Sequence, residues 1–311
     1  MSTREVGFSR RGLVVAGIVL GTGALGHANR AAAQPALRRT GEPAPPVPAQ
    51  AAAKEGLAQL PDTRLWYTDT GGSGAAVVFL HPATGSALTW GYQQPAFAAA
   101  GYRVITYSRR GHYNSDPVPN DKPGSGSQDL HELTGVLGVG KFHAVASAAG
   151  VSHALDYALS HPDRLMSLVL SSGTGGVRDA DYIAMLVNVR SKGFDEMAPE
   201  FRELSPSYRA LNPEGVAHWV ELHHKAVTGN RLGQKPVNDI SWAALQRLKV
   251  PTLLMTGDAD LIWPPPLLRL FAKHIPASET VIVTEAGHAI YWEQPEVFNR
   301  AVLEFITRHS T

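Results

Sequence analysis

A serine, an aspartate and a histidine, in that order along the chain, are the residues whose types could carry covalent chemistry. Ser147 lies in "FHAVASAAGVSHALDYA", an apolar run that passes through a turn of small residues directly into a helical pattern, and a serine at such a strand-to-helix turn can be displayed to a substrate. Asp258 and Asp260 follow the apolar run in "LLMTGDADLIWP", and His288 follows the one in "ETVIVTEAGH". A serine hydroxyl is a weak nucleophile at neutral pH. An imidazole that takes its proton, itself held by a carboxylate, makes acyl transfer possible. The stretch around Ser147 would equally suit a buried strand and an alanine-rich helix that need small side chains to pack.

Other chemistries are less well served. The chain has no cysteine, which removes disulfides, a thiolate nucleophile and cysteine metal sites. His223 and His224 are adjacent, so on a helix they face different directions and make a poor metal pair. "GTGALG" at Gly21–Gly26 has glycines at dinucleotide-binding spacing, but the sequence after it is Ala/Pro-rich and offers no βαβ unit, so no cofactor site is expected there. The net charge of +1 comes without a basic stripe interleaved with aromatics, which argues against a nucleic-acid partner.

The elements that must position the three candidates alternate between strand and helix patterns. "TRLWYTDTGG" and "AAVVFLHP" read as an opening strand pair, followed by "YRVITYSRRG", "FHAVAS", "LMSLVLSSG", "PTLLMTGD" and "ETVIVTEAGH". The later runs are continuously apolar, as strands of a mostly parallel sheet flanked by helices are. An α/β fold follows, with Ser147, Asp260 and His288 all at the carboxyl ends of strands, the edge where open α/β sheets bind ligands. Residues 177–248 carry helical patterns and no clear strand, which predicts a helical insertion between core segments 61–176 and 249–311.

The amino terminus is of another kind. "SRRGLVVAGIVLGTGALG" sets Arg10 and Arg11 before a glycine-rich apolar run, and "AAAQ" offers a small-residue cleavage site. Residues 1–33 resemble a twin-arginine signal, which implies a periplasmic or secreted protein without stable membrane insertion after cleavage. Residues 34–60, rich in Ala and Pro, are expected to be a linker.

From about Trp66 to Ile306 the chain resembles the α/β-hydrolase family, in particular its esterase, lactonase, non-haem haloperoxidase and C–C hydrolase group. The matching stretches are "VVFLHPATGSALTW", "YSRRGHYNSD", "VASAAG", "YALSHPDRLMSLVL", "TGDADLIWP" and "AGHAIYWEQPEVFNRAVLEFI". The resemblance implies Ser147 as nucleophile, His288 as base, Asp260 as the acid that orients it, and the 177–248 insertion as a cap. It also assigns the oxyanion to the N–H groups of Ala83 and Ala148, because Pro82 has none. No metal or organic cofactor is implied, and the expected substrate is a small or medium carboxylic ester or lactone. Trp263, Tyr291 and Trp292 flank the acid and the base and are candidates for the pocket wall or for core packing. Two departures stand out, Val145 and Ala149 where the family's G-x-S-x-G has glycines. The expectation is that Ser147 still adopts the strained φ > 0 turn within reach of His288. C–C bond hydrolysis or cofactor-free perhydrolysis on the same residues, and a non-catalytic ligand-binding homologue, are the alternatives.

Overall fold

Runs of Val, Ile and Leu with almost no exposed position build the middle of an eight-stranded sheet. The computed structural model describes residues 45–226, 228 and 233–310; the expected signal at 1–33, its "GTGALG" and the first part of the expected linker lie outside them. The strands are β1 (Lys54–Gln59), β2 (Arg64–Asp69), β3 (Ala76–Leu80), β4 (Arg103–Tyr107), β5 (Phe142–Ser147), β6 (Leu165–Ser171), β7 (Thr252–Gly257) and β8 (Ser278–Val283), in spatial order β1-β2-β4-β3-β5-β6-β7-β8. From β4 to β8 every neighbouring pair is parallel, so β3, β5 and β7 are buried along their whole length between two helical layers. One face packs Leu130 and Leu133, Val151, Ala154 and Leu155, and Leu267, Leu268 and Phe271 from three helices. The other packs Phe97, Phe298, Val302 and Phe305 from two.

Two sequence expectations are corrected here. β2 and β3 are not partners: β4 lies between them, and β2 pairs antiparallel with β1 and β4. The expected linker also ends earlier than residue 60, because Lys54–Gln59 is a sheet strand in register with β2. The chain before it is tied down too, by Tyr92 Oη donating to the Pro45 carbonyl at 2.6 Å and Gln50 Nε2 to the Gly91 carbonyl at 2.8 Å. β1 is an edge strand with Ala58 as its buried residue. Its sequence therefore shows no apolar alternation.

Between β6 and β7 the described residues form helices Ala180–Asn188, Pro199–Glu203, Pro206–Leu211, Pro213–Ala226 and Trp242–Leu245 and no strand, as the periodicity predicts. Their starts are marked by side-chain caps, Asp179 accepting from the Tyr182 N–H and Ser205 from the Tyr208 N–H, or by proline in the first turn, where a missing N–H is harmless. The return to the core is held by Asp156, whose carboxylate accepts the N–H groups of Val237 and Asn238 at 2.9 and 2.8 Å.

Candidate active site

The strand that carries Ser147 does not turn at Ser147. β5 stays in register with β6 through its last residue, Ser147 opposite Ser171, and the next N–H, that of Ala148, still donates to the Ser171 carbonyl at 2.9 Å. The chain then turns at Ala148, which has φ 50° and ψ −114°, and the helix Ala149–Ser160 begins at once. A left-handed φ is strained for a residue with a Cβ. It marks Ala148 as the tip of the elbow.

That register overturns three expectations about this stretch. The positive φ belongs to Ala148 and not to Ser147. The Ser147 side chain is fully buried, on the same side of β5 as Val145, and its Oγ has no hydrogen-bond partner among the described residues, so no bond to His288 forms. The Ala148 N–H is taken by Ser171 and cannot serve an oxyanion. The motif's small-x-tip-x-Gly pattern instead falls on Ala146, Ser147, Ala148, Ala149 and Gly150. The two missing glycines are thereby explained. Gly150 is the second of them, and a Cβ there would stand 2.4 Å from the Leu80 carbonyl oxygen; Ala146 fills the other small position. The tip, where the motif places its nucleophile, carries a methyl group. Ala148 and Ala149 are partly exposed while Ser147 is 0% exposed, so a ligand at the elbow meets the alanines.

Asp260 and His288 come together as expected. His288 Nδ1 lies 3.0 and 2.9 Å from the two Asp260 carboxylate oxygens, which puts the proton on Nδ1 and leaves Nε2 as the basic nitrogen. The Asp260 Oδ1 also accepts the N–H groups of Ile262 and Trp263 at 2.8 and 2.9 Å. Burial pushes the Asp260 carboxyl up, but the His288 charge and these hydrogen bonds outweigh it, and its pKa lies below the ordinary value. Burial likewise pushes His288 down, and the Asp260, Glu203 and Glu293 carboxylates reverse it to a raised pKa. Asp258 is occupied elsewhere, accepting the Glu285 N–H at 2.7 Å.

The loop after β3 provides the opposite wall. The Arg109 N–H donates to His81 Nε2 at 3.0 Å, so His81 Nδ1 carries the proton and donates to the Pro82 carbonyl at 2.7 Å; the Arg109 guanidinium adds a second bond to that carbonyl at 3.1 Å. The Pro82 carbonyl and the Ala83 N–H belong to one trans peptide. Gripping the carbonyl aims the N–H of Ala83, an exposed residue, the other way. Neither the Ala83 nor the Ala149 N–H meets a backbone carbonyl among the described residues. Ala149 follows the elbow tip, so these two are the donors available to an oxyanion.

Sequence reasoning missed the insertion's share in the site. His223 Nδ1 donates to the Thr84 carbonyl at 2.9 Å, and the Glu203 Oε2 accepts the Thr84 hydroxyl at 2.8 Å. The Glu203 carbonyl accepts the His288 N–H at 2.7 Å and the Ala289 N–H at 3.3 Å. Beside it, Glu293 accepts the Ser205 and Gly287 N–H groups at 2.9 and 3.0 Å, and burial pushes its pKa up to about 7. Nothing in "FRELSPS" distinguishes Glu203 from a surface glutamate. The three aromatic candidates are each 1% exposed. Trp263 packs against Phe271 and donates to the Tyr182 hydroxyl at 3.0 Å, Tyr291 packs against Trp90 with its ring tilted, and Trp292 donates to the Gly215 carbonyl at 3.2 Å. Trp263 and Trp292 thus moor the insertion to the core.

Sheet order, elbow, oxyanion loop and His–Asp pair define an α/β-hydrolase architecture. Residues 77–301 match the model of the alpha/beta hydrolase family, and the chain belongs to that family. It is 29% identical over 273 residues to a 2-hydroxy-6-oxononadienedioate/2-hydroxy-6-oxononatrienedioate hydrolase of Burkholderia vietnamiensis, over 79% of this chain and 92% of that one. It is 25% identical over 266 residues to a 2-hydroxy-6-oxo-6-phenylhexa-2,4-dienoate hydrolase of Burkholderia cepacia, again over 79% and 92%. Among solved structures, the enol-lactonase of Burkholderia xenovorans LB400 superposes with a TM-score of 0.67 at 22% identity, covering 81% of this chain and all (100%) of that one. A thermophilic esterase of Thermogutta terrifontis gives 0.66 at 23%, covering 84% and 100%. These relatives are thus named as two hydrolases of 2-hydroxy-6-oxo acids, an enol-lactonase and an esterase.

Proposed function

We propose that the chain is a hydrolase in which His288, held by Asp260, activates water directly against a substrate carbonyl, without an acyl-enzyme. The observation that carries this reading is a His–Asp pair in place while the elbow tip is Ala148. His288 Nε2 takes a proton from water, the hydroxide oxygen bonds to the carbonyl carbon, and the oxyanion is received by the Ala83 and Ala149 N–H groups. Collapse expels the alkoxide of an ester or lactone, or the carbanion of a C–C substrate, and that atom takes up a proton in place of the one His288 removed from water. Each oxyanion donor contributes on the order of 3 kcal/mol. A triad enzyme stripped of its nucleophile retains roughly a 10³–10⁴-fold acceleration from such groups and from binding.

The substrate class is a small carbonyl compound: a carboxylic ester, a lactone, or a ketone whose C–C bond is activated by a second carbonyl. The relatives named as 2-hydroxy-6-oxo-dienoate hydrolases support C–C cleavage as much as the named esterase and enol-lactonase support ester or lactone cleavage. Ala148 also favours a second reading, a ligand-binding homologue without turnover. The experiment offers p-nitrophenyl esters, lactones and 2-hydroxy-6-oxo-dienoates, with and without peroxide, to wild type and His288→Ala. Product formation that the substitution abolishes supports the hydrolase. Wild-type rates no higher than those of His288→Ala on every compound leave the binding reading.

A further inference from the structure

Glu203 is a buried carboxylate that touches both halves of the site. It ends the insertion's helix Pro199–Glu203, is 7% exposed, and reaches the oxyanion loop through Thr84 and the base through the His288 amide. Its Oε2 is satisfied by the Thr84 hydroxyl; its Oε1 has no donor among the described residues and is not one of their fully enclosed unpartnered atoms. One oxygen is therefore free on a carboxyl that joins the loop after β3 to the loop of the base. We propose that Glu203 is the acid of the reaction, delivering a proton to the leaving group while His288 takes one from water. This rests on the hydrolase reading above.

His288 is pinned at Nδ1 by both Asp260 oxygens and at its amide by the Glu203 carbonyl, which leaves Nε2 as its one free ring nitrogen to receive the proton of the attacking water. A second group that already carries a proton can serve the departing atom without waiting for that one to move across. Burial outweighs the pull of His288 and of the Thr84 hydroxyl and raises the Glu203 pKa, while the Asp260 charge pushes the same way, so Glu203 keeps a proton further toward neutral pH than an exposed glutamate does. The balance closes. Water gives its proton to His288 Nε2 and its oxygen to the carbonyl carbon; the C–O or C–C bond breaks with its electron pair on the leaving atom, which takes the Glu203 proton. His288 then returns its proton to the Glu203 carboxylate through solvent.

The test compares two esters of one acyl group, a p-nitrophenyl ester whose phenolate leaves unprotonated and an ethyl ester whose alkoxide needs a proton, in wild type and Glu203→Gln. Glutamine keeps an acceptor for Thr84, so a latch that is merely structural survives. The expected result is p-nitrophenyl turnover within about threefold of wild type and ethyl ester kcat lowered about 100-fold or more at little change in KM. Equal losses on the two esters, or no loss on the ethyl ester, overturn the proposal and leave the hydrolase reading intact. Wild-type protein that turns over neither ester overturns this proposal, and the hydrolase reading falls with it only if lactones and 2-hydroxy-6-oxo-dienoates are left unhydrolysed as well. Should Glu203→Gln fail to fold in a thermal melt, Glu203→Asp, which withdraws the carboxyl by one methylene, carries the same comparison, with the same split expected and an unsplit result overturning it.

Discussion

A single side chain decides what the elbow can do. Ala148 stands at the strained tip and Ser147 is turned into the sheet face, so Ser147→Ala is expected to leave any hydrolytic rate within about threefold of wild type, the range of a substitution that touches no reacting group. The reverse experiment is more telling. Ala148→Ser would place a hydroxyl where the family's motif displays its nucleophile. It is expected to confer labelling by a fluorophosphonate and a burst of p-nitrophenol, neither of which is expected of the wild type. Labelling of the wild type at Ser147 would return the nucleophile to that residue. Asp260 and His288 were legible because each follows an apolar strand into a loop, and strand ends can be read from periodicity. The elbow was misread by one residue because the serine drew the turn onto itself. What fixes the turn is the pairing of Ser147 with Ser171, a long-range contact that no local window contains.

At the level of elements, small residues set how closely the elbow helix approaches the sheet. Gly150 lies where any Cβ would press on the Leu80 carbonyl at 2.4 Å, and backbone gives way less readily than a side chain. Gly150→Ala is expected to destabilise the fold by about 1–3 kcal/mol, as overpacking does, measured by urea unfolding; an unchanged midpoint would show that helix and strand separate freely there. The helical layers and the insertion were legible as helices from their period. Edge strand β1 was not, since a strand with one buried residue has no pattern to read. Nor were the insertion's contacts: Glu203 meets Thr84 across 119 residues and His223 meets it across 139. Composition marks such a segment as helical and says nothing about which loop it rests on.

Over the whole molecule, buried histidines make the fold sensitive to acid. His143 is enclosed between the Ser167 and Ser310 hydroxyls at 2.8 and 3.1 Å, and burial, helped by His309, pushes its pKa down to about 4; burial takes His153 to about 3. Above the unfolded value of about 6.5 neither state is charged and these groups are silent. Below it the unfolded chain binds protons that the native chain refuses, so stability falls from about pH 6.5 down to the folded pKa values. His143→Gln is expected to flatten this decline by up to about 3 kcal/mol between pH 6.5 and 4, with the His153 share remaining; denaturant midpoints that fall as steeply in the variant would exclude His143 as a source.

The contact between the Glu203 carbonyl and the His288 and Ala289 amides has a kinetic consequence. The loop that carries the base and residues 199–205 share hydrogen bonds, so any motion that lifted that segment would also release the backbone that holds His288 in place. Were a ligand to enter by such a motion, entry and chemistry would be mutually exclusive in time. Each turnover would have to be committed by reseating the insertion, and the rate of that reseating would set a ceiling that no improvement at the reacting atoms could raise.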